Sequence, residues 1–387
     1  MTSGWRIMRS ASALPVLATV LICAVVMTTL VRIDDQKLLA ASLAAIVIAC
    51  FAAMRLGIAD LAESSATQHP WTCRAAIMAA TLAVLFVLRE DTFGLLMLST
   101  VLIYVTTCLG VTIQMGYAGV TNFSAAAFVG TGAYTAALLD ASHYLPDLLV
   151  LICGGLVAVA VGSLLLLPVL RTRGHYEALI TLAFGVMFNV FLDASDSLGG
   201  PQGLKVAGIN LFGWDFSNDL HLFGYEFSFY VNYVLLTGGV AGLAMVLAVL
   251  LDRSWIGIWL DTVRLDETAS TVFGLSIGRW KILAFTMGNF LAGIAGAIYA
   301  KMAGFIAPNN FTLGDSLVIV SIVILGGIGN RWGVLPAALI VILLPEKLQF
   351  IQEYRLLIYA LVVILILVVR PSGLLERRTR RFGLARA

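Results

Sequence analysis

The sequence predicts an all-α polytopic integral membrane protein with about ten transmembrane helices, within a range of about nine to twelve. Of its 387 residues, 60% are hydrophobic and only 12% are charged, whereas a soluble domain has about a quarter charged residues. The mean hydropathy is +0.97. Apolar runs of roughly 17 to 23 residues recur, which is the length that crosses about 30 Å of hydrocarbon as a helix. Because these runs do not alternate in pieces of about ten residues, they exclude an outer-membrane barrel.

The candidate spans follow one another along the whole chain. Arg6 and Arg9 precede the first run as in a signal peptide, but no small-residue cleavage site follows, so we expect an uncleaved first span. The short runs 75–88 and 316–330 are expected to be tilted, broken or re-entrant. The candidate spans are 14–31, 38–54, 75–88, 93–113, 118–139, 148–170, 176–192, 229–251, 282–301, 316–330, 334–350 and 354–369.

The distribution of basic residues orients these spans. The tail 370–387 contains six arginines, and the positive-inside rule places such a tail in the cytoplasm. If every segment crosses, seventeen Lys and Arg lie on the cytoplasmic side and seven outside. The N-terminus and the segment 252–281 are then also cytoplasmic. The connection 193–228 has five acidic residues and one lysine, and we expect it outside.

One predicted span carries a row of small residues spaced four apart. Such a row lets a neighbouring backbone approach closely, as in small-xxx-small pairs of membrane helices. Helix packing is the favoured interpretation, and the lining of a substrate path is the alternative. The row consists of Gly288, Ala292, Gly296, Ala300 and Gly304.

Two glycine-rich stretches, 115–134 and 325–333, fall within apolar segments. Glycine costs about 1 kcal/mol in a helix interior, so both predict broken or closely packed backbone. Irregular backbone inside a membrane is tolerated where protein or a water-filled cavity satisfies it. A pathway is therefore expected near these stretches.

Catalytic and metal-binding signatures are absent from the sequence. The four histidines and five cysteines lack the spacing of a metal site, and HExxH, GxSxG and P-loop motifs are missing. Glu346 lies beside Lys347 near a span end, which favours a solvated carboxylate. We expect no metal, no cofactor in this chain and no enzyme activity, because a membrane-embedded transferase needs converging charged groups. A secondary transporter usually buries an ionisable coupling site, so the energy is expected to come from a partner.

Uncharged polar residues within the apolar runs are the candidates for a translocation pathway. Each could bind a solute, or only another helix at about 0.6 kcal/mol on average. A pathway requires several of them to converge. The candidates are Thr121, Asn122, Ser124, Thr181 and Asn289, and Asn189 and Asn232 have the same character.

The segment 252–281 holds eight charged side chains in thirty residues and is here called the coupling segment. Two apolar stripes at helical spacing predict two short helices, because the stripes do not join into one face. We expect a break near Arg264 and Leu265, with Asp266 capping the second helix and Gly274 ending it. The first stripe is Ile256, Trp259, Leu260 and Val263, and the second is Ala269, Val272 and Phe273.

Two interpretations of this segment remain open from the residues alone. A solvated loop explains the charges of the segment, but it does not explain the order of apolar stripe, helix-capping Asp266 and helix-ending Gly274. A docking element with an apolar face and a charged rim explains both, and its partner would be cytoplasmic.

The coupling segment resembles the cytoplasmic coupling loop of permeases of branched-chain amino acid ABC importers. That family has a Ser-x-x-Gly start, then Arg-x-Asp-Glu-x-Ala, then Gly-Leu or Gly-Ile. Further blocks of the family pattern occur in order, including "GYAGVTNFSAAAFVGTGAY", "LGGPQGL", "SIVILGGIGNRWG" and "VVRPSGLL". The resemblance covers 93–375 and is greatest to the LivM-type permease of the LivM/LivH family; the spans in 1–92 match loosely, and 376–387 is a basic tail. The matching coupling residues are Ser254, Gly257, Arg264, Asp266, Glu267, Ala269, Gly274 and Leu275.

The resemblance implies a multi-pass subunit of the bacterial inner membrane that imports Leu, Ile, Val or related hydrophobic amino acids. Its implied partners are a second related permease, two cytoplasmic ATPases that bind ATP and Mg, and a periplasmic or secreted substrate-binding protein. Membrane lipid and the small-molecule substrate complete the set, with no nucleic acid. The same architecture importing urea, short amides or another small metabolite is the alternative. ATPase coupling is expected to depend on Arg264, Asp266 and Glu267, with Gly274 shaping the loop.

The chain also departs from the family pattern. Ile258 stands where a basic residue is common, and Leu265 replaces a polar residue, so both bear on ATPase docking. Ala126 replaces a frequent His or Gln, and Leu198 replaces a usual Thr, so both bear on the substrate.

Overall fold

The computed structural model describes most of the chain from residue 86 onward. The predicted spans 14–31 and 38–54, nearly all of 75–88 and most of 354–369 lie outside the described residues. The described residues are 86–88, 91–140, 145–170, 172, 175–211, 213–222, 225–347, 357, 360, 361, 364, 368, 373–375 and 377.

The described residues are mainly helical, and this confirms the predicted all-α class. Within the described part of the chain, six helical stretches are long and apolar enough to cross a membrane: Thr92–Tyr117, Asp147–Leu166, Tyr176–Ala194, Tyr230–Arg253, Ile277–Ala303 and Pro308–Gly326. The number of about ten spans stays a prediction for the whole chain. The helices are α1 Thr92–Val111, α2 Ala125–Asp140, α3 Asp147–Val169, α4 His175–Ala194, α5 Tyr230–Arg253, α6 Trp255–Leu265, α7 Glu267–Val272, α8 Ile277–Ala303, α9 Leu313–Gly326 and α10 Arg331–Lys347.

Both glycine-rich stretches interrupt the helices, as predicted. In the first, α1 continues into a π-helical turn, Thr112–Tyr117, and an irregular stretch follows before α2. The predicted span 118–139 is therefore wrong at its start, because the left-handed Gly119 (φ 72°) lies outside any helix. In the second, Gly327 (φ 104°) and Gly329 (φ 87°) separate α9 from α10.

Three short antiparallel pairs of strands accompany the helices among the residues that the structure describes. β1 (Leu204–Lys205) pairs with β6 (Phe305–Ile306), and β2 (Asn210–Leu211) pairs with β3 (Trp214–Asp215). The connection 193–228 is thus structured in its described part. The remaining pair is β4 (Leu220–Leu222) with β5 (Tyr225–Phe227).

The chain divides into two compact units. One contains residues up to Leu96 together with Leu220–Val231, so the β4–β5 hairpin belongs to it. The other contains Met97–Asp219 and Asn232 onward. The second unit holds the pathway candidates and the coupling segment.

Helix α8 packs at the centre of the second unit through its small residues. A side chain on Gly288 would come within 2.6 Å of the Gly110 carbonyl oxygen, and one on Gly296 would overlap the Val129 carbonyl. Neighbouring backbone thus lies close to these two glycines, and the two alanines between and after them are buried; packing as the role of the row stays a prediction. The buried members of the row are Gly288, Ala292, Gly296 and Ala300.

The last member of the row, Gly304, was wrongly placed on this helix face. It follows the last helical residue, Ala303, as a left-handed cap with φ 69°, and only the Val206 oxygen comes within 4 Å of a hypothetical side chain. Gly304 therefore ends α8. The predicted row does not include Gly293, which also packs closely: its carbonyl leaves no room for a side chain at Gly132 of α2.

A buried lysine ties one end of α8 to two neighbouring helices. Lys301 Nζ lies 2.8 Å from Asp140 Oδ1 of α2 and 2.7 Å from Asp147 Oδ1 of α3, and its side chain is 0% exposed. The other oxygens of these carboxylates accept backbone N–H groups from Ala207, at 2.7 Å, and from Asn210. This group, the Lys301 triad, anchors the connection between α4 and α5 to three helices.

Candidate functional site

The coupling segment forms the two short helices that its stripes predict. Ser254 begins α6, and its Oγ accepts the Gly257 N–H at 3.3 Å. α6 ends at Leu265, and Asp266 then caps α7 by accepting the Ala269 N–H at 2.9 Å through Oδ1. The predicted break and cap are confirmed.

Gly274 ends this pair of helices in the predicted way. Its φ is 78°, a left-handed conformation that favours glycine. The Leu275 N–H reaches the Ser270 carbonyl at 3.0 Å, which satisfies a carbonyl at the end of α7. Nothing lies within 4 Å of the place where a side chain on Gly274 would sit. The residue is therefore needed for backbone conformation, not for close packing.

The apolar side chains of the coupling segment divide into an inner and an outer set. Leu260 and Val263 are buried against the rest of the unit. Leu265, Val272 and Phe273 are 73%, 81% and 79% exposed. Charged residues flank this outer surface, here called the outer face, and such an apolar patch with a charged rim is typical of a docking site.

An arginine cluster holds α6 against the π-helical turn. Arg264 donates to the Gly116 carbonyl, and Arg377 donates to the same oxygen at 2.9 Å. Arg377 also lies 2.8 Å from Asp261 Oδ1 and 3.2 Å from Asp252 Oδ1. Burial, and then the nearby positive charge of Arg377, lower the pKa of the Arg264 guanidinium.

A buried lysine holds α7 against the start of α4. Lys281 Nζ lies 2.6 Å from Glu177 Oε1 and 2.7 Å from Glu267 Oε1. The side chains of Lys281 and Glu177 are 5% and 4% exposed, whereas Glu267 is 33% exposed. This group is the Lys281 triad. Two predicted docking residues, Arg264 and Glu267, thus contact the permease itself, and their role in ATPase coupling stays a prediction.

Three of the pathway candidates, Asn122, Ser124 and Asn289, lie in one buried hydrogen-bond network. Gln114 of the π-helical turn donates to Asn289 Oδ1 at 2.8 Å and accepts from Asn122 Nδ2 at 2.7 Å. Asn122 Oδ1 in turn accepts the Ser124 hydroxyl at 2.8 Å. All four side chains are buried, and we call them the amide network.

Thr181 connects α4 to this network. Its Oγ1 accepts the Phe123 N–H at 3.1 Å, and its one hydroxyl hydrogen faces two acceptors, the Ala178 carbonyl at 3.0 Å and the Thr121 carbonyl at 3.5 Å. All five predicted pathway residues therefore lie in one region, although their role in transport stays a prediction. Asn189 instead donates to the Pro308 carbonyl at 2.8 Å.

Two polar atoms of this region have no hydrogen-bond partner among the described residues, namely Asn289 Nδ2 and Thr121 Oγ1. Close by, the rings of Phe128 and Phe285 meet edge to face at 5.7 Å, and the Phe285 carbonyl accepts from Gln114 at 3.1 Å. The region thus holds polar atoms without a partner and aromatic rings that are fully buried.

Sequence reasoning missed four residues that complete these sites, namely Gln114, Glu177, Lys281 and Arg377. Gln114 is an uncharged polar residue in an apolar run, so the criterion that found Asn122 applies to it equally. Glu177 and Lys281 bind partners about a hundred positions away (Lys281 and Glu177 are 104 apart), and no local pattern predicts such a pair. The chain therefore contains more buried ionisable groups than its composition indicates. Among the described residues, no group of three or more His, Cys, Asp or Glu is placed to hold a metal ion.

Residues 92–367, more than half of the chain, match the model of a family described as branched-chain amino acid transport system, permease component. The chain belongs to this family. Its members are transport permeases and not enzymes, and the chain is a multi-pass membrane permease.

Curated relatives agree with this assignment. The high-affinity branched-chain amino acid transport system permease protein LivM of Salmonella typhimurium is 35% identical over 288 residues, covering 71% of this chain and 68% of the relative. The LivM of Escherichia coli is 32% identical over 293 residues, with the same coverage. The autoinducer 2 import system permease protein LsrC of Klebsiella pneumoniae is 27% identical over 180 residues, covering 46% of this chain and 44% of the relative. No solved structure matches the chain.

Proposed function

We propose that this chain is the permease subunit of an ATP-driven ABC importer for leucine, isoleucine, valine or related hydrophobic amino acids. Membership of the branched-chain amino acid permease family is the observation that carries this proposal. Two features of the chain support it: an exposed apolar surface on the coupling segment and a buried uncharged polar network.

The outer face of the coupling segment is the proposed ATPase dock. Its exposed apolar side chains are Leu265, Val272 and Phe273, and Asp266 lies between them at the exposed junction of the helices. The two departures from the family pattern that fall in this segment, Ile258 and Leu265, are both exposed. They are positioned to select which ATPase binds.

The amide network is the proposed site where this subunit contacts the moving substrate. Uncharged amides and hydroxyls can hydrogen-bond the ammonium and carboxylate of an amino acid without holding it as tightly as a buried charge would. The aromatic rings of Phe128 and Phe285 lie beside the network and are fully buried. The free Nδ2 of Asn289 is a donor for a carboxylate.

The proposed assembly contains a second related permease, two ATPases that bind ATP and Mg, and a periplasmic or secreted binding protein. It lies in the bacterial inner membrane, with both termini and the coupling segment of this chain in the cytoplasm and the connection 193–228 outside. The substrate arrives from the binding protein and passes between the two permeases as the ATPases close and open.

A different cargo for the same architecture is the second candidate. The similarity to LsrC, a permease named for autoinducer 2 import, shows that related chains are named for a cargo that is not an amino acid. Urea, short amides and other small polar metabolites are thus competing substrates.

The test is uptake of radiolabelled leucine and urea into proteoliposomes that contain the complete importer. We expect ATP-dependent leucine uptake that needs the binding protein. Variants with reversed charge at Arg264 and Glu267 should lose uptake and ATPase co-purification. Normal uptake and normal co-purification in these variants would contradict the docking proposal. Uptake of urea without uptake of leucine would favour the second candidate.

A further inference from the structure

Two separate sets of contacts join the coupling segment to the amide network. The first is the arginine cluster on Gly116. Gly116 lies in the same π-helical turn as Gln114, so a displacement of its carbonyl moves the residue that links Asn122 to Asn289. Arg377 fastens this carbonyl to Asp261 of α6.

The second set is the Lys281 triad. Glu267 belongs to α7 of the coupling segment, and Lys281 joins it to Glu177 at the start of α4. Thr181 lies one helical turn after Glu177, on the same face of α4. Because Thr181 binds the backbone of Thr121 and Phe123, this chain of contacts ends beside Asn122.

The chemistry of the triad indicates a positional role. Replacing a buried ion pair by apolar residues of similar size is often neutral or stabilising, so such a pair is weak evidence for stability alone. Lys281 of α8 joins α4 and α7, two helices that are not adjacent in the sequence. One of its two partner carboxylates, Glu267, is partly exposed on the short helix α7. This arrangement is suited to keeping α7 and α4 in register while α7 moves.

We propose that Lys281 and Arg377 are positioning residues that carry the displacement of α6 and α7 into the segment 112–124. The inference rests on the proposed function, in which the coupling segment receives that displacement from the ATPases. Both sets of contacts end at the amide network, so closure of the ATPases changes the hydrogen bonds of Gln114 through one set and those of Asn122 through the other.

The test compares four variants in the complete reconstituted importer. The double variant Glu177→Gln with Lys281→Met removes the two buried charges together and leaves only Glu267, which is 33% exposed, without the lysine. Arg377→Gln removes the contact between the Gly116 carbonyl and Asp261 that the arginine cluster makes. Lys281→Arg keeps the charge, and Arg279→Gln removes an exposed arginine near Lys281. Leucine uptake, basal ATP hydrolysis and ATPase co-purification are measured for each.

We expect leucine uptake to fall about tenfold in the double variant and in Arg377→Gln, the size of a typical coupling between distant sites. Basal ATP hydrolysis and ATPase co-purification should stay unchanged, because the outer face is intact. Lys281→Arg should retain most of the uptake, and Arg279→Gln all of it. A role in stability alone would lower uptake and the amount of assembled complex together.

Wild-type uptake rates in both the double variant and Arg377→Gln would overturn the inference and leave the proposed function standing. Loss of ATPase co-purification in these variants would also overturn it, since that result assigns the residues to docking. A wild-type chain that neither binds an ATPase nor takes up leucine would overturn both proposals.

Discussion

Helix α8 carries a buried lysine at each end, and the two sites differ in what they hold. Lys281 and Lys301 are twenty positions apart, about 30 Å along a helix, and each lies between two carboxylates. Lys301 joins two long helices, and its carboxylates also accept backbone N–H groups. Lys281 joins one long helix to α7, which has only six residues.

This difference separates a scaffold from a mobile connection. Every partner of Lys301 is held by further contacts, so the Lys301 triad fixes α2, α3 and α8 together. In the Lys281 triad, Glu267 is 33% exposed and belongs to a short capped helix. Substitutions at the first end should therefore cost stability, whereas substitutions at the second should cost transport.

The largest effect on stability is expected for Lys301→Met. Removing one partner from a buried charge group typically costs about 3–5 kcal/mol, because it leaves the others uncompensated. The measurement is thermal unfolding of the purified chain in detergent. Lys205→Met, which removes an exposed lysine, is the control and should leave unfolding unchanged. Equal unfolding temperatures for the two variants would remove the distinction between the two ends of α8.

Gly296→Ala is expected to cost about 1–3 kcal/mol, as for other overpacked cores. The added methyl group would overlap the Val129 carbonyl, which is backbone and cannot rotate away. Gly242→Ala in α5 is the matched control, since nothing lies within 4 Å of its added carbon. We expect that control to stabilise the helix by up to about 1 kcal/mol. Unfolding in a denaturant series measures both values, and similar values for the pair would show that α8 is not closely packed there.

Gly274→Ala is expected to cost about 1–2 kcal/mol, the penalty for a left-handed non-glycine residue. Space is not the cause, because no atom lies close to the added carbon. Gly274→Asn should cost less, since asparagine tolerates this conformation. Hydrogen exchange of the α7 amides measures the loss locally. If the alanine and asparagine variants exchange alike and like the wild type, the turn does not depend on the left-handed conformation.

Glu267→Gln is expected to have the smallest effect on stability, under about 1 kcal/mol, because a partly exposed ion pair is screened by water. Leucine uptake should nevertheless fall severalfold, since the link from α7 to Lys281 is lost. Thr268→Ala changes the exposed neighbouring residue and serves as the control for uptake. A Glu267→Gln variant that unfolds early but transports leucine normally would reverse the assignment of the two ends.

The parts of this molecule that the sequence predicts correctly depend on local hydrogen bonds and on polarity. The break at Asp266 and the turn at Gly274 follow from contacts within five residues. The pathway candidates were found because polar groups are rare in apolar runs, and Gln114 obeys the same rule.

The parts that the sequence does not predict depend on contacts between distant residues or on backbone conformation. Glu177 and Lys281 are 104 positions apart, and Arg377 binds Gly116 from 261 positions away. Gly304 fits the spacing of the small-residue row, yet its left-handed conformation ends the helix. Spacing alone does not distinguish a packing glycine from a capping one.

Hydrogen exchange of the complete importer, with and without ATP, tests most directly whether the coupling segment drives the amide network. The account predicts that ATP changes exchange in both 254–275 and 112–124 in the wild type. In the Glu177→Gln, Lys281→Met variant, it predicts a change in 254–275 and a much smaller one in 112–124. An unchanged 112–124 segment in the wild type, or an equal change there in the variant, would contradict it.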